Sequence, residues 1–174
     1  MRIFVALQPV PAFRDALALL QDRLRAAGVT GRYLTPSNLH LTLAFIGMWP
    51  EDISGLLPKV EQPFPMTLSR LGVFPKAKVL WAGVEPSEAL DRLALQVRQG
   101  LTEAEIPFDG QDFNPHITLV RKPELPESLT LPAIEVPWAE MLVRDVCLYR
   151  SDHGEQGMEY TVIGRSGEAG EEAK

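Results

Sequence analysis

An α+β fold of largely antiparallel strands is predicted by three observations. Segments with the strand period of two mix with segments of helical period, without the regular alternation of a doubly wound sheet. The stretch from Asn38 to Gly47, N-L-H-L-T-L-A-F-I-G, is echoed as N-P-H-I-T-L-V-R from Asn114 to Arg121. A helical stretch with an apolar stripe precedes each copy. The expected architecture is therefore bilobal: two pseudo-symmetric halves, each a mainly antiparallel sheet backed by helices, with a cleft between them.

Taken in order, Arg2 to Leu7 reads as a strand that Pro9 and Pro11 break. Phe13, Leu17, Leu20 and Leu24 recur at helical spacing from about Ala12 to Ala27, with Pro11 near the first turn and Gly28 as a stop. Arg32 to Thr35 leads through Pro36 and Ser37 into the first motif strand, which ends at Gly47. A shorter helix is expected from about Glu51 to Glu61, kinked or shortened by Pro58. Met66 to Phe74 and Lys78 to Val84 form a hairpin across F-P-K-A-K. A second helix follows Pro86, capped by Ser87, with Leu90, Leu93, Val97 and Leu101 as its buried stripe. Pro107, Asp109 and Gly110 form a loop into the second motif strand. After a Pro-rich connection, strands are expected near Ile134 to Trp138, Met141 to Tyr149 and Glu159 to Gly164, with His153 a solvated residue in the turn S-D-H-G-E. One bilobal domain over residues 1–165 is expected, followed by an acidic, disordered tail over 166–174.

Composition narrows the function. At 174 residues, 45% hydrophobic and 23% charged, the chain can bury a sizeable core. A net charge of −6 argues against a broad grip on duplex nucleic acid, which needs many cations on phosphates, though a substrate held at one end is allowed. The one cysteine, Cys147, excludes an internal disulfide and a Cys-based zinc site and reads as a buried thiol. No secretory segment or membrane span is apparent. A cytoplasmic monomer is expected.

The motif carries the chemistry. Side chains alternate across a strand, so His40 and Thr42 share one face, as do His116 and Thr118. Leu39, Leu41, Leu43 and Phe45 make the opposite face, which suits a core. Only three histidines occur in the chain, and two of them stand in this frame. Two imidazoles across a cleft can act as base and acid near neutral pH, while the two threonine hydroxyls donate to phosphate oxygens. In-line displacement at phosphorus suits that layout. A zinc site lacks the ligand spacing it needs, and no phosphate loop or nucleophile elbow is present. Asp112 could orient a histidine, but a turn role suits it better. Arg121 has odd parity against His116 and Thr118, so it reaches the site only if the strand ends or bulges after Leu119.

These residues, with R-I-F-V-A-L at the start, L-G-V-F-P, V-L-W-A-G-V and L-Y-R-S, give the resemblance. Over nearly its whole length the chain resembles the two-histidine (2H) phosphoesterases, and among them the RNA 2',3'-cyclic phosphodiesterases, also known as 2'-5' RNA ligase-like proteins. The resemblance implies metal-independent opening of 2',3'-cyclic phosphate at RNA or nucleotide ends to a 2'-phosphomonoester, with no cofactor. It further implies His40 as proton donor and His116 as proton acceptor, an order the near-symmetric layout leaves open. Thr42, Thr118 and Arg121 would hold phosphate oxygens. Phe4, Tyr33 and Phe113 are candidates to stack on the terminal base. Other readings keep the site for small cyclic nucleotides or 2'-5' linked oligonucleotides, or make it a phosphate-binding module without turnover. Reversible 2'-5' joining would be a minor activity. One neutral and one protonated imidazole predict a bell-shaped kcat/KM with limbs at about pH 6 and 8.

Overall fold

The computed structural model describes residues 1–167. Among them, nine strands and two α-helices follow in the order β1 (Arg2–Leu7), α1 (Pro11–Ala26), β2 (Thr30–Tyr33), β3 (Leu41–Met48), β4 (Phe64–Phe74), β5 (Val79–Val84), α2 (Glu88–Glu103), β6 (His116–Glu124), β7 (Glu140–Val143), β8 (Cys147–Gly154) and β9 (Gly157–Arg165). Every strand pair is antiparallel, as expected of this α+β chain. The path β7-β4-β5-β6-β3-β1-β8-β9, with β2 beside β6, contains both motif strands next to each other at its middle. None of the described helices is long and apolar enough to cross a membrane.

The helices form where their stripes predict. Phe13, Leu17, Leu20 and Leu24 of α1 and Leu90, Leu93, Val97 and Leu101 of α2 are buried against the sheet in one apolar core. Ser87 Oγ accepts from the Leu90 N–H at 3.1 Å, which caps α2. Gly28, at φ +92°, ends α1 in a conformation that a Cβ would disfavour.

Three expected elements differ. The stretch from Glu51 to Glu61 holds only a short 3₁₀ turn, Ser54–Leu56, because Pro50, Gly55 and Pro58 leave no room for a helical run; Ile53 and Leu57 anchor it to the core. Ile134 to Trp138 makes no ladder. Pro132 and Pro137 remove donors there, and pairing resumes only at β7. The run from Met141 to Tyr149 is cut at Arg144 to Val146, where the chain passes from β4 as partner to β1. Ser166, assigned by sequence to the tail, is buried, and its Oγ accepts from Val146 N–H at 2.9 Å. The remainder of the expected disordered tail, 168–174, lies outside the described residues.

Candidate active site

The two motif strands touch at one point. Leu41 pairs with Ile117, the one β3–β6 Cα pair among the described residues. Carried one residue either way, antiparallel register sets His40 across from Thr118 and Thr42 across from His116. A cleft of about 1200 Å³ opens over this square, lined by His40, Thr42, His116, Thr118 and Arg121 together with Phe4, Phe45, Phe74, Tyr160 and others.

A bulge follows each Thr. Thr42 pairs with Ala6, but Ala44 pairs with Val5, so Leu43 is an extra residue. Thr118 pairs with Trp81, but Val120 pairs with Leu80, so Leu119 is likewise extra. Each bulge sends two consecutive apolar residues into the core, Leu43 with Ala44 and Leu119 with Val120. The next residue then turns back to the cleft face: Phe45 in the first copy, opposite Phe4, and Arg121 in the second, opposite Val79. The bulge required for Arg121 is therefore present. Phe45, assigned by strict alternation to the core, is instead 40% exposed in the cleft for the same reason.

Each imidazole is anchored alike. His40 Nδ1 lies 2.7 Å from the Asn38 carbonyl and His116 Nδ1 lies 2.6 Å from the Asn114 carbonyl. A carbonyl only accepts, so Nδ1 carries the proton in both rings and Nε2 is left for the cleft. The orienting group of each histidine is thus a backbone carbonyl, not Asp112. His40 sits among the rings of Phe4 (4.7 Å), Tyr160 (5.2 Å, edge-on) and Tyr149 (5.6 Å). His116 meets Phe74 edge-on at 4.9 Å and Trp81 at 6.3 Å. Burial pushes His40 down to about 4; the Arg121 and His116 charges act in the same direction, against the Asn38 carbonyl. Burial also lowers His116, opposed by the Asn114 carbonyl. Arg121 reaches the Tyr160 hydroxyl at 3.4 Å.

The model of the 2'-5' RNA ligase superfamily matches residues 8–155. The chain belongs to that superfamily. Among its relatives, the RNA 2',3'-cyclic phosphodiesterase of Archaeoglobus fulgidus is 33% identical over 164 residues, covering 87% of this chain and 91% of the relative. The enzyme of the same name from Escherichia coli is 32% identical, covering 78% of each chain. Crystal structures of E. coli LigT complexed with 3'-AMP (TM-score 0.76, 28% identity, 94% and 95% of the two chains covered) and of TT0787 of Thermus thermophilus (TM-score 0.73, 33% identity, 95% and 96%) share the fold.

Within this superfamily fold, all five residues singled out by sequence line one cleft. The proposed base-stacking residues separate. Phe113 lines the cleft, and so does the buried Phe4, which lies beneath His40. Tyr33 does not: its ring packs under Arg25 (4.1 Å) and its hydroxyl donates to the Val29 carbonyl. His153 lies on β8 opposite Met158, exposed at the cleft, and not in a turn. Asn38 was missed. Its amide donates to the Met158 carbonyl (2.8 Å) and accepts from Tyr160 N–H (3.2 Å), tying β9 to the first motif. The repeated Asn two residues before each His was the available signal. Tyr160 carried none, since it reaches the site through pairing of distant strands.

Proposed function

We propose that the chain opens 2',3'-cyclic phosphates at RNA ends, leaving a 2'-phosphomonoester, by two-histidine acid and base catalysis without a metal. The observation that carries this reading is the matched pair of imidazoles, each held by a carbonyl at Nδ1 with Nε2 left free, across two Thr hydroxyls. A phosphate over that square accepts from Thr42 and Thr118, and Arg121 neutralises charge that develops on its oxygens. His116 Nε2 takes a proton from water as its oxygen bonds to phosphorus. The P–O3' bond breaks, and His40, entering as the imidazolium, gives its Nε2 proton to O3'. Each histidine ends in the other's starting state and is reset by exchange with solvent.

A cleft of about 1200 Å³ exceeds the roughly 300–1,000 Å³ of small-molecule sites, which favours a nucleotide or RNA end over a bare cyclic phosphate. Phe45 offers an exposed ring about 7 Å along the strand from Thr42, the reach from a phosphate to its base. Among the described residues no group of three or more His, Cys, Asp or Glu side chains is placed to hold a metal ion. The proposed protons travel through imidazole.

The test is phosphorus NMR of a short RNA ending in 2',3'-cyclic phosphate, with EDTA, beside His40→Ala, His116→Ala and the double variant. Conversion to the 2'-monoester by wild type, lost about a hundredfold or more in each single variant, is expected. A 3'-monoester product, or activity that survives loss of either His, overturns the mechanism. Binding without conversion would make the chain a phosphate-binding module.

A further inference from the structure

Gln21 and Arg98 are polar residues on the packing sides of the two helices. Gln21 is 2% exposed on a stripe otherwise made of Phe and Leu. Each is the eleventh residue of a sixteen-residue helix. Their hydrogen bonds correspond one for one. Gln21 Nε2 donates to the Leu119 carbonyl (3.0 Å) and the Leu34 carbonyl (2.8 Å). Arg98 Nε donates to the Leu43 carbonyl (3.1 Å) and its Nη1 to the Gln111 carbonyl (2.7 Å). Leu119 and Leu43 are the extra residues of the two bulges, and Leu34 and Gln111 lie in the segments that lead into His40 and His116.

We infer that Gln21 and Arg98 are paired positioning residues, each tying the approach to its own motif to the bulge of the opposite motif and so holding Arg121 and Phe45 at the cleft. Sheet geometry gives such a tie its place. Past Leu41 and Ile117 the two strands part; β2 takes over as partner of β6 only from Val120 onward, so the Leu119 and Leu43 carbonyls beside the parting take donors from outside the β3–β6 ladder. Backbone donors fill some of the gap, with Leu34 N–H on Leu119 and Asp109 N–H on Phe45. The helix side chains add donors at the Leu34, Leu119, Leu43 and Gln111 carbonyls, crosswise. An apolar residue at 21 would pack better but would leave the Leu34 carbonyl without the donor Gln21 supplies and the Leu119 carbonyl with a single one. Arg98 is steadied by Phe108 and Phe113, whose rings lie 5.7 and 5.8 Å from its guanidinium carbon.

The crosswise arrangement predicts which residues couple. Gln21 acts on Arg121 and Arg98 acts on Phe45. The experiment is a set of double-mutant cycles on the full chain, read as affinity for inorganic phosphate and for a nucleoside monophosphate. Arg121→Ala is expected to weaken phosphate about tenfold in wild type but less than threefold in Gln21→Met. Phe45→Leu is expected to weaken the nucleotide about tenfold in wild type but less than threefold in Arg98→Met. The uncrossed pairs, Gln21 with Phe45 and Arg98 with Arg121, should multiply independently. A purely structural role would lower Tm and leave all four cycles independent, which overturns the inference. If Gln21→Met does not fold, the partly exposed Arg98 decides alone, with Arg98→Lys expected to retain part of the coupling. The inference places Arg121 and Phe45 in the proposed catalytic cleft, yet its readout is affinity, so absent turnover with coupled binding would overturn the proposed function and leave the inference standing.

Discussion

The pH dependence of kcat/KM is where the structure departs most from a generic pair of imidazoles. The proposed catalysis requires one ring protonated and the other neutral, and for any such pair the optimum lies midway between the two free-enzyme pKa values. His40 lies at about 4 and His116 is also lowered from 6.5, so the optimum falls below pH 6.5 whichever ring is the acid. At pH 7 the protonated share of His40 in the free protein is on the order of one part in a thousand, against about a quarter for an unperturbed imidazole. Above the optimum kcat/KM should fall about tenfold per pH unit once the higher pKa is passed. A bound phosphate anion between the rings raises both pKa values, so the alkaline limb of kcat should lie at higher pH than that of kcat/KM. The assay is steady-state hydrolysis of a nucleoside 2',3'-cyclic phosphate from pH 4 to 9, with imidazole proton NMR of free and phosphate-bound protein. A kcat/KM optimum at pH 7 or above, or a free His40 titrating near 6.5, would refute the reasoning.

The same burial acts on stability. His40 is harder to protonate folded than unfolded, so the unfolded chain binds more protons between about pH 6.5 and 4; stability is lost as pH falls through that window, by up to about 3 kcal/mol. Denaturant melts of His40→Gln should show a flatter acid limb than wild type, and parallel limbs would contradict this. A Cβ at Gly72 would overlap Cζ2 and Cη2 of Trp81, the ring that backs His116, so Gly72→Ala should destabilise by about 1–3 kcal/mol and lower turnover together. Unchanged turnover with lowered Tm would show that Trp81 does not position His116. Phe45→Leu should reduce kcat/KM for a nucleoside cyclic phosphate by about tenfold and spare a ribose cyclic phosphate that lacks a base. Equal loss on both substrates would assign Phe45 to structure alone.

Much of the fold was legible because local signals agreed with one another. The stripes of α1 and α2, the Ser87 cap, the Gly28 stop and the β4–β5 hairpin each follow from spacing that is local in the sequence. Two of the errors share a cause. Glu51 to Glu61 and Ile134 to Trp138 have suitable apolar residues, but nearby prolines decide against regular pairing, and Ile53 and Leu57 are buried without a helix. Asn38 and Tyr160 act across strands separated by more than a hundred residues, where no local period reaches.

The candidate site was legible as one cleft through the histidines and threonines and misread one step later. Strict alternation placed Phe45 in the core and would have placed Arg121 there too, and both were off by the same single residue. The sequence contained the means of correction, because an arginine in that core position would be an unpaired buried charge costing several kcal/mol, whereas a phenylalanine there raises no objection. A bulge inferred from the impossible Arg121 in H-x-T-L-V-R transfers, copy to copy, onto H-x-T-L-A-F and turns Phe45 outward. The pseudo-symmetry then breaks where it matters for a substrate with unlike ends. Beyond the phosphate square one strand offers a cation and the other an exposed aromatic ring, and because the strands run antiparallel the two lie at opposite ends of the cleft. In the proposed reaction a substrate whose phosphate lies over the square therefore has one favoured direction, with its base toward Phe45 and its phosphate oxygens toward Arg121, although the proposed catalytic groups alone would accept either.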